Sequence, residues 1–568
     1  MQLHALSIRN FRGIRECTFC PDSRSNLSCL IGPGDAGKST ILTAIAWVFW
    51  PRYSLGIGDI DFYECDTSNV ISIEATFSGF PDELIRESKF ALYQRCQPTS
   101  IGRFDTDDDP SDGEQPTLTI RLMIDETLEP QWFVVKNSQE PKRISAADRA
   151  KIPVCVIDTQ RNGDMLWGRY SLLQRYAASN DAVKATSMNA ARRLSKMELD
   201  DLDMATKPVA EAIRPFGVHV SHEELVNHFV MAGANMPSQV GLFDGSVPLL
   251  YLGQGSRRLF STGLAFAMAT TGSLILIDEI ESGLEPHRLS NLISLLKGNS
   301  ASTGRVSSQS IFTTHSPIAL QELKHDELYA VTRQDNGTVM VHHMVSSNPD
   351  VNEELQGQLR AAPSSFLAPR VYVCEGHTEL GLMKAIDEHH RQSHGVGLTA
   401  AGVALSDAGG SDNMFSYAKH LKEAGYSPCI FMDSDVAQHQ QRKEEARNAG
   451  IDVFDWDDGN MTELQVFLDV DDEAVKESIG LAAELRGEQS IRGQLQSKGL
   501  DFDTLLSMNV VPEATRRTLG LLAHKKSWFK NIERGRRLGE IIIEHADEAC
   551  NSKTLYKTFN KLERWALG

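Results

Sequence analysis

The sequence lacks an apolar run as long as the about 18–20 residues that a membrane-spanning helix needs. Its first stretch, MQLHALSIRNFRGIRE, also lacks the charged-then-apolar order of a signal peptide. We therefore expect a cytoplasmic protein with no membrane partner. The nine cysteines are scattered, and the close pair Cys17 and Cys20 has no second pair at zinc-site spacing, so we assign cysteine no role.

Basic residues are also outnumbered, since the chain has 57 Lys and Arg residues and 76 Asp and Glu residues, which gives a formal net charge of −19. This balance excludes a protein that coats nucleic acid by bulk attraction, since phosphate neutralisation needs Lys and Arg. It does not exclude a nuclease. Carboxylates that hold divalent metals add negative charge, and a local basic track such as 524–537 can coexist with an acidic whole.

At 568 residues the chain is too long for one ordinary core, so two or three domains are expected. Short apolar strands alternate with helical patterns, which predicts α/β folding with parallel sheets and functional residues at the carboxyl ends of strands. The acidic, turn-rich segment 104–116 is expected to be a solvated hairpin tip rather than a cation site. Apolar residues at helical spacing in 164–215 predict a helical insertion used for packing or dimerisation.

A glycine-rich segment follows the apolar run that ends at Ile31 and fits the phosphate-binding loop pattern in full. Its glycines let backbone amides turn toward phosphates, its lysine supplies positive charge, and its serine is placed to ligate Mg²⁺. The predicted nucleotide ligands here are Gly32, Gly34, Gly37, Lys38, Ser39 and Thr40.

The second half of a nucleotide site lies far along the chain, where the run LILI at 274–277 ends in Asp278 and Glu279. A buried parallel strand explains the apolar run but does not require paired acids. One acid holding Mg²⁺ and one activating water would explain them.

The order of these motifs resembles that of ABC ATPases of the RecF and SMC kind. The resemblance includes a signature-like segment at 252–258, the run 281–284, and a histidine after a strand in IFTTHSP. It implies that Asp278 holds magnesium, Glu279 is the general base, His315 senses the γ-phosphate, and Arg12 and Gly255 contact nucleotide. It also implies a homodimer or higher homo-oligomer formed through the ATPase domain, since the signature of one head faces the ATP of the other. Gly253 departs from the pattern, which places a serine there.

A second group of acids follows two strand-like runs in the C-terminal part. Glu375 ends the run RVYVC and Glu379 lies in the first turn of the helix that follows, while Asp433 and Asp435 end the run PCIFM. Four carboxylates at neighbouring strand ends repel one another unless cations lie among them. Hard oxygen ligands of this kind select Mg²⁺ or Mn²⁺.

This half resembles a Toprim domain. With the glycine pair at 409–410, the Glu-x-x-x-Glu form and the ATPase upstream, nearly the whole chain resembles the OLD (overcoming lysogenization defect) family of nucleases, which includes the Gabija-system nuclease. The resemblance implies that Glu463 is a further metal ligand, although Met461 stands where a serine is common. It also implies a late catalytic lysine, for which Lys530 is the first candidate and Lys526 the reserve.

These observations predict an ATP-regulated DNA endonuclease that uses ATP and Mg²⁺ or Mn²⁺, with DNA and a possible companion protein as partners and a role in bacterial antiphage defence. A DNA-repair or genome-maintenance ATPase that does not cut is the first alternative, and a topoisomerase or primase is the second. The predicted domains are two lobes of an ABC ATPase at 1–163 and 216–345, the helical insertion at 164–215, a linker at 346–365 and a Toprim nuclease domain at 366–568.

Overall fold

The chain forms two compact units, which apart from Gly32–Gly34 divide after Met344 and are called here the N-terminal and C-terminal units. A computed structural model describes residues 1–96, 110, 115–157, 173, 206, 208–209, 211–216, 225–230, 239–268, 272–298, 308–434, 436–456, 459–546 and 550–568. The acidic segment predicted at 104–116 and the helical insertion predicted at 164–215 lie mostly outside these residues. Among the described helices, none has the length and apolarity to cross a bilayer.

A twelve-stranded sheet forms the centre of the N-terminal unit, in the order β7-β6-β5-β4-β1-β2-β15-β14-β3-β13-β12-β8. One side of it, from β7 to β2, is antiparallel, whereas β14, β3, β13, β12 and β8 run parallel to one another. Between the two sides, β15 pairs parallel with β2 and antiparallel with β14. The strands are β1 Gln2–Phe11, β2 Ile14–Phe19, β3 Leu27–Ile31, β4 Ile71–Ser78, β5 Thr117–Ile124, β6 Gln131–Lys136, β7 Gln139–Arg143, β8 Val154–Ile157, β12 Leu274–Ile277, β13 Gln309–Thr313, β14 Leu328–Arg333 and β15 Thr338–His343.

The parallel strands that carry the predicted motifs are buried along their whole length, as strands covered on both faces must be. β13 lies between β3 and β12 and pairs with both. The carboxyl ends of all three therefore meet at one edge of the sheet, where ligands bind in such folds.

Helices and a small sheet complete the N-terminal unit. Helix α1 begins in the glycine-rich loop and buries Ile41 and Ile45 in the main core. The helices are α1 Lys38–Val48, α2 Ala146–Arg149, α3 Gln254–Met268, α4 Pro286–Gly298 and α5 Pro317–Glu322, and the small antiparallel sheet contains β9 Leu225–Val230, β10 Gln239–Asp244 and β11 Val247–Pro248.

The C-terminal unit contains a four-stranded parallel sheet in the order β17-β16-β18-β19. Its central strands β16 and β18 bring the ends of two predicted motifs side by side. The strands are β16 Arg370–Cys374, β17 Val403–Asp407, β18 Ser427–Phe431 and β19 Asp452–Phe454. This sheet, with the larger sheet of the N-terminal unit, confirms the predicted α/β fold class.

Eleven α-helices of the C-terminal unit are described, and most of them follow the sheet. The segment predicted as a linker, 346–365, contains the first of them, with Leu355 and Leu359 buried. The helices are α6 Pro349–Ala361, α7 His377–His394, α8 Ser411–Glu423, α9 Gln440–Asn448, α10 Thr462–Asp469, α11 Asp472–Arg486, α12 Glu488–Gln496, α13 Phe502–Ser507, α14 Glu513–Lys525, α15 Ile532–Glu544 and α16 Thr554–Leu567.

Two helices of this unit approach one another more closely than side chains would allow. A Cβ atom on Gly381 of α7 would lie 2.5 Å from the carbonyl oxygen of Ile532, and one on Gly535 of α15 would lie 2.7 Å from that of Thr378. Glycine at both positions therefore permits this contact, because any side chain would force the backbones apart. The contact fixes α15 against the first turns of α7, where Glu379 lies.

Candidate functional site

The phosphate-binding loop predicted after β3 has the backbone that its glycines suggest. Gly32 has φ 129° and Gly37 has φ 100°, values in the region that L side chains rarely adopt. A Cβ atom on Gly34 would meet nothing within 4 Å, so packing does not account for that glycine. Space over Gly34 is what a phosphate group needs to approach the backbone.

Lys38 and Ser39 begin helix α1 at the end of this loop. The Lys38 side chain is buried, and this burial lowers its pKa to about 8, while the nearby Asp278 and Asp35 act in the opposite direction. The Ser39 hydroxyl donates a hydrogen bond of 2.9 Å to Oδ1 of Asp278. The structure thus joins the two halves of the site, which are far apart in sequence.

The end of β13 lies between the loop and Asp278 and provides a residue that the sequence analysis did not identify. The Thr313 hydroxyl donates to Oδ1 of Asp278 over 2.7 Å and accepts the backbone N–H of Glu279 over 2.7 Å. Asp278 is therefore held by two hydroxyl groups, and a serine hydroxyl beside a carboxylate is a donor set that suits Mg²⁺. Glu279 is exposed and has φ 47°, a left-handed conformation that is unusual for a non-glycine residue.

Glu281 connects the segment after β12 to the predicted sensor histidine. Its Oε1 accepts the backbone N–H of His315 over 2.6 Å, and its Oε2 accepts the Thr314 hydroxyl over 2.7 Å. Burial, followed by the charge of Lys38, lowers the pKa of His315. The neutral imidazole that results can either donate or accept a hydrogen bond.

Two other predicted nucleotide contacts are engaged with protein groups. Arg12 Nε donates a hydrogen bond of 2.9 Å to Oδ1 of Asp61, and its guanidinium lies 5.4 Å from the centre of the Trp47 ring. A Cβ atom on Gly255 would lie 2.0 Å from the carbonyl oxygen of Gly283, so this glycine is required for packing of α3 against the 281–284 turn. A nucleotide role for Arg12 and Gly255 stays a prediction.

The carboxylates of the C-terminal unit meet at the ends of β16 and β18. The backbone N–H of Asp433 donates to Oε2 of Glu375 over 2.9 Å. Oδ1 of Asp433 accepts the backbone N–H of Thr462 over 2.7 Å and its hydroxyl over 2.5 Å. Thr462, at the start of α10, was missed in the sequence, although it stands beside the predicted Glu463.

Glu379 and Glu463 complete the cluster from the first turns of α7 and α10. Both are nearly fully buried, at 6% and 4% exposed. Burial, then the charges of Asp433 and Glu463, raise the pKa of Glu379 well above its usual range. Burial also raises the pKa of Asp433 to about 7, and the charge of Glu375 adds to that effect. The four acids therefore share one partly dehydrated volume, and we call them the carboxylate cluster.

Three further residues lie around the cluster. His524, at the end of α14, has Nδ1 3.1 Å from Oε2 of Glu463. Asp407, at the end of β17, has Oδ2 2.9 Å from Nε2 of His377. No sequence pattern marks Asp407 or His377 as part of the site, and His524 stands out in the sequence only as the first residue of the basic segment 524–537.

The two remaining predicted residues have different outcomes. Asp435 lies outside the described residues. Lys530 is described and exposed, in the short connection between α14 and α15. Its neighbours Trp528 and Phe529 are fully buried and anchor this connection in the core.

Both units are similar to known protein families. Residues 27–320 match the family model described as "AAA domain, putative AbiEii toxin, Type IV TA system", and residues 366–435 match "Overcoming lysogenization defect protein-like, TOPRIM domain". No curated protein sequence matches the chain. Similar solved structures include an Smc head bound to the C-terminal winged-helix domain of ScpA, with a TM-score of 0.37 and 14% identity over 60% of this chain and 97% of that one. Another is an Smc head with an extended coiled coil bound to the C-terminal domain of ScpA from Pyrococcus furiosus, with a TM-score of 0.37 and 14% identity over 63% of this chain and 99% of that one.

The fold, the two sites and the matched models define a protein in which an ATPase domain is followed by a Toprim domain with C-terminal helices. The chain belongs to the AAA-domain family whose model covers more than half of it, and together with its OLD-like Toprim domain it is an ATPase–Toprim protein of the OLD family. The predicted family is thereby confirmed.

Proposed function

We propose that this chain is a divalent-metal-dependent DNA endonuclease whose cutting is regulated by ATP. The observation that carries this proposal is the carboxylate cluster, in which Glu375, Glu379, Asp433 and Glu463 converge from two strand ends and two helix starts. Two of these acids, Glu379 and Glu463, are buried, and grouping them with two half-buried acids is costly because desolvation and mutual repulsion both disfavour the charged forms.

The cluster fits divalent cations. Its donor atoms are hard carboxylate oxygens, which Mg²⁺ and Mn²⁺ prefer. The raised pKa of Asp433 and of Glu379 supports the fit, since a nearby positive charge is what would return both groups to their ionised forms. Bound at these residues and at Asp435, such ions would supply Lewis-acid activation of water and of a phosphodiester.

The protein's own contribution is orientation. Thr462 holds the Asp433 carboxylate through two hydrogen bonds, and the Asp433 backbone holds Glu375 through a third. A carboxylate fixed in this way needs little reorganisation when the reaction takes place. His524 does the same for Glu463.

Basic residues near His524, which contacts the carboxylate cluster, support DNA binding at this site. Lys525, Lys526 and Lys530 are exposed near His524, whereas Arg536 and Arg537 form ion pairs with glutamates of the same unit. Phosphate contact therefore falls to these lysines rather than to Arg536 and Arg537. Lys530 is the proposed contact to the scissile phosphate, with Lys526 as the reserve.

The N-terminal unit supplies the proposed regulation. Lys38 and the loop amides would hold the phosphates of ATP, Ser39 and Asp278 would hold its Mg²⁺, and Glu279 would orient the attacking water. His315, connected to the β12 turn through Glu281, would detect the γ-phosphate. Hydrolysis at this site would then control the geometry of the nuclease or the access of DNA to it.

We also propose that the chain forms homodimers through the N-terminal unit. Its proposed role is bacterial antiphage defence, together with a companion protein. The support for homodimerisation is the order of the motifs, which resembles that of ABC ATPases in which the signature of one head faces the ATP of the other. The defence role is supported by the matched family descriptions, which name a lysogenization defect and a toxin system.

The experiment is cleavage of supercoiled plasmid by the full chain with Mg²⁺ or Mn²⁺, with and without ATP. We expect nicked or linear products that require metal and change in amount with ATP, and no products from Asp433→Asn protein. A metal-independent product, or equal cutting by the variant, would reject the nuclease. Normal ATP turnover with no cutting of any DNA form would instead favour the ATPase that does not cut.

A further inference from the structure

A second group of metal-ligating side chains lies in the C-terminal unit, away from the carboxylate cluster. His390 and His394 of α7 and Glu563 of α16 each offer one ligand atom, and the three atoms lie within 4.8 Å of one another. His390 is eleven positions after Glu379 on the same helix, a rise of about 16 Å. This group is therefore separate from the proposed nuclease site.

The spacing of the two histidines is that of a chelating pair. Residues four apart lie on one face of a helix, and two histidines at this spacing hold zinc in helical metal sites. Their rings stack with centroids 4.3 Å apart at 22°.

Glu563 approaches the same point from another helix. Its Oε1 lies 2.7 Å from Nδ1 of His390, and the His390 side chain is only 9% exposed. Two imidazole nitrogens and one carboxylate oxygen form a donor set that suits Zn²⁺ and Co²⁺, unlike the all-oxygen carboxylate cluster.

We propose that His390, His394 and Glu563 form a transition-metal site of the zinc class, with water in the remaining position. One nitrogen of each ring reaches the same ion if the His394 ring, which is exposed at the end of α7, rotates out of its stack on His390. The ion would fasten α16 to α7. The Tyr372 hydroxyl of β16 already donates to the Leu562 carbonyl of α16. The metal site would therefore stabilise a helix that contacts the strand immediately before Glu375.

Co²⁺ is the probe, because cobalt bound to imidazole at low coordination number absorbs visible light far more strongly than cobalt surrounded by oxygen ligands. The full chain is treated with chelator, dialysed and titrated. His394→Ala removes an exposed ligand, and Glu563→Gln keeps a hydrogen-bond acceptor for His390 while removing the charge. His389→Ala is the matched control, since His389 is an exposed histidine of the same helix that is outside the group.

We expect one strongly absorbing cobalt ion per chain in wild-type and His389→Ala protein, since cobalt at the carboxylate cluster would have only oxygen ligands and absorb weakly. We expect its loss, or affinity weaker by at least about tenfold, in His394→Ala and Glu563→Gln. Zn²⁺ should displace the cobalt and raise the melting temperature of wild-type protein more than that of Glu563→Gln protein. A wild-type protein without strong absorption, or equal binding by His394→Ala and His389→Ala, would leave His390 and Glu563 as a hydrogen-bonded pair and overturn the metal site.

Discussion

Asp433 donates its backbone N–H to the Glu375 carboxylate over 2.9 Å, although the two acids are 58 positions apart in the sequence. The contact uses the main chain of one acid and the side chain of the other. A change of the Asp433 side chain therefore leaves Glu375 in place. Loss of function after such a change would report on the Asp433 carboxylate itself.

Asp433→Asn should reduce plasmid cleavage by at least about a hundredfold, because it removes a charged metal ligand but keeps the acceptor for Thr462. Adding Glu375→Gln should cause little further loss of cleavage, since the acids act as a unit.

In EDTA the Asp433→Asn variant should melt no lower than wild type, because burial raises the pKa of Asp433 to about 7 and the lost charge was unfavourable. ATP turnover, measured on the same preparation, should persist, since that site has its own core. Simultaneous loss of cutting, ATPase activity and folding would make this acid structural.

Lys38→Ala should reduce ATP hydrolysis by at least about a hundredfold, because the amine that stabilises phosphate charge is gone. The fold should survive, since burial lowers the pKa of Lys38 and the native state holds its charge at a cost. Steady-state phosphate release and circular dichroism are the two measurements. Normal turnover by a folded variant would reject the phosphate-loop assignment.

Glu279→Gln should slow hydrolysis by about a hundredfold to ten-thousandfold while ATP binding remains, because general-base catalysis contributes that range. Asp278, held by Ser39 and Thr313, still provides the magnesium ligand. Equilibrium binding of labelled ATP, compared with single-turnover hydrolysis, separates the two effects. Loss of ATP binding as well would contradict the assignment of Asp278 as the magnesium ligand and Glu279 as the general base alone.

Glu281→Gln tests the connection between the β12 turn and His315. One of its two accepted hydrogen bonds must be lost, and bonds to charged groups are worth about 1.5–3 kcal/mol. Hydrolysis should fall by about tenfold or more with nearly unchanged ATP affinity. Glu285→Gln, which changes a partly exposed acid paired with Arg288, is the control and should turn over ATP like wild type. Equal rates for the two variants would exclude Glu281 from the site.

Because the His4 side chain is buried, we expect the N-terminal unit to lose stability in acid. Burial lowers its pKa to about 4 from 6.5, so the unfolded chain binds more protons between these values. Stability is therefore lost as the pH falls through this window, by about 2 kcal/mol between about pH 7 and about pH 5. Urea unfolding at both values should show a smaller loss for His4→Gln, which can still hydrogen-bond with Ser78. An equal loss in both proteins would assign the sensitivity to other groups.

The elements that the sequence predicted best are those in which contiguous residues determine local geometry. The loop from Gly32 to Ser39, the acids after LILI and the strand-end acids are all of this kind, because the glycine conformations and the strand pattern are properties of a short segment. The family and the α/β fold followed from their order along the chain.

The residues that the sequence did not identify are brought to the sites by strand order and helix packing. Thr313 reaches Asp278 because β13 lies between β3 and β12, and Thr462 reaches Asp433 because α10 begins beside the end of β18. Neither threonine belongs to a recognisable motif. A single sequence does not specify which strands become neighbours, so these partners required the fold.

The position of β3 in the sheet determines how late in synthesis the phosphate-binding loop can become functional. Both sheet neighbours of β3, β13 and β14, lie almost at the far end of the N-terminal unit in sequence. During synthesis the phosphate-binding loop and β3, the strand before it, therefore emerge long before β13 and β14, the strands that pair with β3. Because chains fold domain by domain, β3 must wait for both partners before it joins the sheet. A nascent chain stopped before Gln309 would carry the complete glycine-rich motif and still be unable to hold a nucleotide.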